Sequence, residues 1–116
     1  MPTDNIQGPV PTRPGEPVVL EVDQGTLYAK PNGGSLRVKC ANNVRFVSRY
    51  AFAIEFTQIA GTPYDWPAPK VQKDGNMYFA DAKAPDVPAG EQNPPYYKYT
   101  ATVGALKLDP IVIVDK

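Results

Sequence analysis

The chain contains no histidine and a single cysteine, Cys40. Histidine is the commonest general base near neutral pH and the commonest metal ligand. Without it, Ser-His-Asp and Cys-His catalytic sets and His-ligated zinc, iron or type-1 copper sites cannot be assembled. One cysteine makes no intrachain disulfide, so the apolar core must hold the fold unaided. Charge of one sign is not in excess either: 12 Lys and Arg balance 12 Asp and Glu, for a formal net charge of zero. No basic footprint points to nucleic acid. Long apolar runs are missing. The longest apolar-rich stretch, Tyr50 to Phe56, is interrupted by Glu55, and a membrane span needs about 20 such residues. Met1-Pro2-Thr3-Asp4-Asn5 has neither a basic n-region nor an apolar h-region. The expectation is therefore a cytoplasmic protein, bacterial in style, without a signal peptide.

What is present is proline and apolar alternation. The 116 residues fit one domain, and 42% of them are hydrophobic, which is enough for a globular core. Residues 1–16 hold Pro2, Gly8, Pro9, Pro11, Pro14 and Gly15 and few large apolar side chains, so they read as a flexible tail before a single domain over 17–116.

Strand signals follow at regular spacing. Val18, Leu20 and Val22 alternate with Val19, Glu21 and Asp23, and Gln24-Gly25 turns into a short strand over 26–30. Pro31-Asn32-Gly33-Gly34 is a turn, because Asn-Gly and Gly-Gly tolerate positive φ. Leu36, Val38 and Cys40 then share one face of a half-buried strand, closed by a turn at Asn42-Asn43. Residues 46–58 read as one long strand with Tyr50, Phe52, Ile54 and Phe56 on one face. Period 2 and the β-branched and aromatic content argue against a helix there. A short strand from Val71, a tight turn over 73–76 and a strand over 77–80 come next. Residues 96–103 and 106–114 predict a hairpin around Gly104-Ala105, with Tyr97, Tyr99, Ala101 and Val103 on one face. Asp109-Pro110 interrupts the last strand, so that position is an edge or a bulge, because proline cannot donate to a ladder. About seven short strands and no convincing helix predict an all-β fold, an antiparallel Greek-key β-sandwich.

Five features bear on function. Pro63-Tyr64-Asp65-Trp66-Pro67 is a stiff aromatic loop. Tyr and Trp on such a loop lose little entropy on binding and are enriched at recognition hot spots. Trp66 either stacks on a ligand or folds back as a plug at the end of the core. In Pro94-Pro95-Tyr96-Tyr97-Lys98-Tyr99, alternation places Tyr96 on the surface beside Lys98 if Tyr97 and Tyr99 are core. Glu55, Asp65, Asp74, Asp81, Asp86 and Glu91 fall on or near loops without the spacing of a calcium loop or a glycosidase pair. Cys40 lies in register with Leu36 and Val38 and reads as a small core hydrophobe. Pro9-Val10-Pro11-Thr12-Arg13-Pro14 has the composition of a polyproline II segment.

The Tyr-x-Tyr-x-Ala-x-Val strand over 97–103 and the following Leu-x-Leu-Asp-Pro-x-Val-x-Val strand over 106–114 resemble small bacterial β-sandwich domains of the immunoglobulin-like or cupredoxin-like kind. The resemblance spans roughly residues 17–115 as architecture and the last twenty or so as sequence. It implies no copper site, since the chain has no histidine and Cys40 lies early. Paired cysteines of an immunoglobulin domain are missing too.

These readings predict a non-enzymatic interaction module that binds a protein partner or itself, with no catalytic residue, metal or cofactor. The expected contact residues are Tyr64, Asp65, Trp66 and Tyr96. The alternative is a small-ligand or carbohydrate-binding module that uses the same aromatic loop. An enzyme built on carboxylates alone is a third reading, and it requires two acidic groups about 5 to 9.5 Å apart in a cleft. Neither nucleic acid nor a membrane span is expected.

Overall fold

The inward positions of the alternating segments pack into one core. Val18, Leu20, Leu36, Val38, Phe46, Ile54, Tyr97, Tyr99, Val112 and Val114 are all at most 2% exposed. The computed structural model describes residues 10, 11, 16–59, 62, 64–91 and 95–115. Among these, the strands are β1 (Val10–Pro11), β2 (Val18–Asp23), β3 (Thr26–Lys30), β4 (Leu36–Lys39), β5 (Asn43–Ser48), β6 (Ala53–Ile59), β7 (Gln72–Asp74), β8 (Met77–Lys83), β9 (Tyr96–Val103), β10 (Leu106–Leu108) and β11 (Ile111–Asp115). A 3-10 turn covers Asn32–Gly34. Among the described residues no helix is long and apolar enough to cross a membrane.

The fold is all-β, in two sheets. In the first, β1, β4, β11 and β9 follow in order, β10 pairs with β9 beyond the end of β11, and β6 lies along the other side of β9; the second runs β3-β2-β5-β8-β7. Both sheets are mixed, which corrects the purely antiparallel expectation. β4 pairs in parallel with both β1 and β11, and β2 pairs in parallel with β5. Backbone ladders accept either direction, and side-chain alternation is the same in both. Across the core, Phe46 of the second sheet meets Tyr99 of the first edge-on, with ring centroids 5.2 Å apart.

Among the described residues eleven strands form where about seven were expected: two long readings divide, and Val10–Pro11 in the predicted tail adds another. The stretch 46–58 is two strands in different sheets. Ser48 is buried; its hydroxyl donates to Leu20 O at 2.9 Å and accepts from Tyr50 N–H at 3.1 Å, turning the chain out of the second sheet. Tyr50, expected on the inner face, is 39% exposed in the crossing. Phe46 on β5 and Ile54 on β6 keep the same parity because each faces the shared core from its own sheet, while Phe52 is buried in the crossing between them. The last strand divides at Asp109-Pro110, as its composition predicts. β10 and β11 lie on the same side of β9, and Tyr99 N–H donates to Pro110 O at 2.9 Å, which carries the ladder through the break. Val112 and Val114 point inward, while Ile111 and Ile113 are half-buried on the outer face.

Two bidentate ion pairs tie neighbouring strands on the outer faces. Arg37 on β4 holds Asp115 on β11, Nη2 to Oδ1 2.7 Å. Arg45 on β5 holds Asp81 directly opposite on β8, at 2.8 Å. Cys40, expected on β4, sits one residue beyond it, half-buried against the core, with its N–H donating to Asp115 O. Of the predicted tail, residues 1–9 and 12–15 lie outside the described residues. Val10–Pro11 within it is a strand paired to Leu36–Arg37.

Candidate functional site

Residues 64–71 follow β6 and lead to β7. Trp66 is 3% exposed. Its ring lies parallel to Phe56 of β6, with centroids 4.0 Å apart and 4° between planes, and edge-on to Tyr97 of β9 at 5.2 Å. The indole therefore packs as a plug and presents no face to a ligand, which corrects its reading as a stacking platform. Its Nε1–H is buried without an acceptor among the described residues. Aromatic packing places the ring, since parallel-offset and edge-on contacts add to the area it buries.

Tyr64 and Tyr97 fasten this loop. The Tyr97 hydroxyl donates to Tyr64 O at 2.7 Å, and the Tyr64 hydroxyl donates to Glu91 Oε2 at 2.8 Å. That bond raises the Tyr64 pKa above the usual phenol value. Burial, with the charges of Asp65 and Tyr64 adding to it, pushes Tyr97 up to about 12. Tyr64 is half-buried and Asp65 is exposed. Pro63 lies outside the described residues.

Tyr96 is elsewhere. Alternation along β9 sends Tyr97 into the core and Tyr96 to the outer face of the first sheet, where it is half-exposed. It stands in one cross-strand row with Ile59 on β6 and Ile113 on β11. Of the four residues expected to act together, Trp66 packs against Phe56 and Tyr97, Tyr64 and Asp65 precede it in the loop, and Tyr96 stands on the opposite face of the first sheet. Thr62 Oγ1 pins the row, accepting from Tyr96 N–H at 3.1 Å and donating to Ile59 O at 2.7 Å.

Five acidic side chains among the described residues are engaged by partners within the framework. Glu21 binds Lys30 at 3.0 Å, Asp81 binds Arg45, Asp115 binds Arg37, Glu91 accepts from Tyr64, and Asp109 accepts from Thr100 at 2.7 Å. Bonds to Lys30 and Tyr28 hold the Glu21 carboxyl below its usual pKa, and the Arg45 guanidinium does the same for Asp81. Among the described residues no group of three or more Asp, Glu or Cys could hold a metal ion. A shallow cleft of about 220 Å³ is lined by Glu21, Val22, Asp23, Tyr28, Arg49 and Tyr50. The sequence reading missed it, because Arg49 and Tyr50 were assigned to a strand interior.

The second feature missed is an edge. β6 pairs only with β9, in unbroken register from Ala53 opposite Thr102 to Ile59 opposite Tyr96. Its other edge meets no strand among the described residues. Among the described residues β6 is the longest strand at a sheet edge, with Tyr96 and Ile113 beside it. Comparison with protein-family models, with curated proteins and with solved structures found no match to this chain.

Proposed function

We propose that this chain is a non-enzymatic interaction module, a Greek-key β-sandwich of the immunoglobulin-like or cupredoxin-like kind that binds a protein partner or a second copy of itself. The observation that carries this reading is the seven-residue edge of β6, paired with no strand along its outer side among the described residues and flanked by the half-exposed row Ile59, Tyr96 and Ile113. An open strand edge is a template for another chain. Contact between Phe46 and Tyr99 across the two sheets supports the sandwich. The non-enzymatic half rests on the chain's lack of histidine and on carboxylates engaged by framework partners. Nothing favours the carbohydrate platform at Tyr64, Asp65 and Trp66, because Phe56 already occupies the indole face.

The test immobilises the full chain, identifies the proteins it retains, and rebinds each as a purified component, alongside sedimentation of the chain alone. The expected result is a purified partner that binds stoichiometrically, or reversible self-association. A chain that stays monomeric at every concentration and rebinds no purified partner refutes the module reading.

A further inference from the structure

Edge strands are usually blunted by shortness, proline, lysine or a covering element. The other edges here follow that rule. β1 has two residues and ends in Pro11. β7 has three and carries Lys73 and Asp74. β10 has three, carries Lys107 and runs into Asp109-Pro110. β3 is covered, because β10 packs against it. Among the described residues β6 is neither short nor covered by another strand, and its one charge is Glu55. Its sequence, Ala53-Ile54-Glu55-Phe56-Thr57-Gln58-Ile59, holds no proline, lysine or arginine, and its register with β9 has no bulge. About half the backbone N–H and C=O groups of such a strand face away from its partner. Among the described residues, only Ile59 O finds a loop donor, Thr62 N–H at 3.1 Å.

The strand is also complementary to itself. In an antiparallel pair centred on Phe56, Ala53 lies opposite Ile59, Ile54 opposite Gln58 and Glu55 opposite Thr57, and Phe56 meets its counterpart. All seven residues are used, and the lone carboxylate faces a hydroxyl. Centring the pair on Glu55 would instead set two carboxylates opposite each other, which is unfavourable. Trp66 stacked on Phe56 at 4.0 Å backs the ring that lies at the centre of the pair. We propose that β6 pairs antiparallel with β6 of a second copy of this chain, about a two-fold axis at Phe56, extending the first sheet across the dimer. This rests on the interaction-module reading and names its partner.

The register supplies its own test. Thr57 faces Lys98 within the chain, so T57E gains an opposite charge there and keeps the fold. Across the dimer, T57E sets carboxylate against carboxylate at two symmetry-related positions. Adding E55K restores opposite charges at both. Sedimentation velocity is expected to show a reversible wild-type dimer, association roughly 5-fold weaker in T57E, and recovery in E55K/T57E. Hydrogen exchange on the unmodified chain at low and high concentration is expected to show added protection confined to 53–59. A wild-type chain that remains monomeric overturns the proposal, and the purified-partner experiment then decides the module reading by itself. A dimer indifferent to T57E, a double variant no better than T57E, or concentration-dependent protection elsewhere also overturns it while leaving self-association standing.

Discussion

Replacing Gly34 by alanine tests the packing where the turn after β3 meets the core. Gly34 is buried, with φ +88. An L side chain in that left-handed region costs about 1–2 kcal/mol. The added Cβ would also run into the Tyr99 hydroxyl, with Ala29 Cβ at 2.9 Å and Pro110 Cγ at 3.0 Å. Three elements therefore close on one hydrogen atom. Overpacking of this kind costs about 1–3 kcal/mol. The Tyr99 hydroxyl donates to Gly34 O in the buried interior, and loosening that bond adds roughly 1 kcal/mol. The sum is about 3–6 kcal/mol, a large part of the roughly 5–15 kcal/mol that holds such a domain. For 116 residues, the unfolding entropy makes each kcal/mol worth about 4 °C, so the melting temperature should fall by roughly 12–24 °C. Gly25 is the control: its φ is +76 and nothing lies within 4 Å of its missing Cβ. G25A should therefore lose only the backbone share, about 1–2 kcal/mol. Urea unfolding of both variants, with Y99F and G34A/Y99F completing a cycle, separates the terms. Y99F removes the nearest obstacle, so the double variant should lose less than the sum of the singles. Equal losses in G34A and G25A, or strict additivity of G34A and Y99F, would refute the collision.

Two further outcomes follow from the aromatic cluster. W66A should lose about 3–5 kcal/mol, while W66F should lose less, since it keeps a ring against Phe56 and removes an indole N–H that has no acceptor among the described residues. Trp66 is the only tryptophan, so its emission should be that of a buried indole and should resist iodide quenching; solvent-like emission counts against the plug. At alkaline pH, Tyr97 matters because its pKa is raised from 10.0 to about 12 in the folded state. A raised value means that its stabilising share is full below pH 10, where the phenol is neutral in both states, and is lost as pH climbs from 10 to 12. Unfolding midpoints across that window should fall for the wild type and fall less steeply for Y97F; parallel slopes would show that Tyr97 is not the linked group.

Much of this molecule is legible one segment at a time. The boundaries of β2 and β3 follow from apolar alternation closed by Gln24-Gly25 and Pro31. The β9–β10 hairpin and the break at Asp109-Pro110 follow from turn chemistry and from a residue that has no N–H to give. The lack of histidine removes whole classes of chemistry before any fold is known. These are local facts: they depend on which side chain stands at a position and on what its backbone can donate.

What the sequence could not carry is which strand lies beside which. Phe46 and Ile54 fall on the same parity of what reads as one strand, yet they belong to two sheets, because alternation records only whether a side chain faces the core. The parallel pairing of β4 with β11 and of β2 with β5 is made by backbone groups that every residue shares. Side-chain identity therefore leaves no mark of it. Trp66 belongs to the same class: its loop composition suits a binding tip or a plug equally, and the placement of Phe56 and Tyr97 decides for the plug. The edge of β6 is likewise a property of position. The strand is open because no other segment among the described residues pairs beside it, and that is settled only when the whole chain has folded.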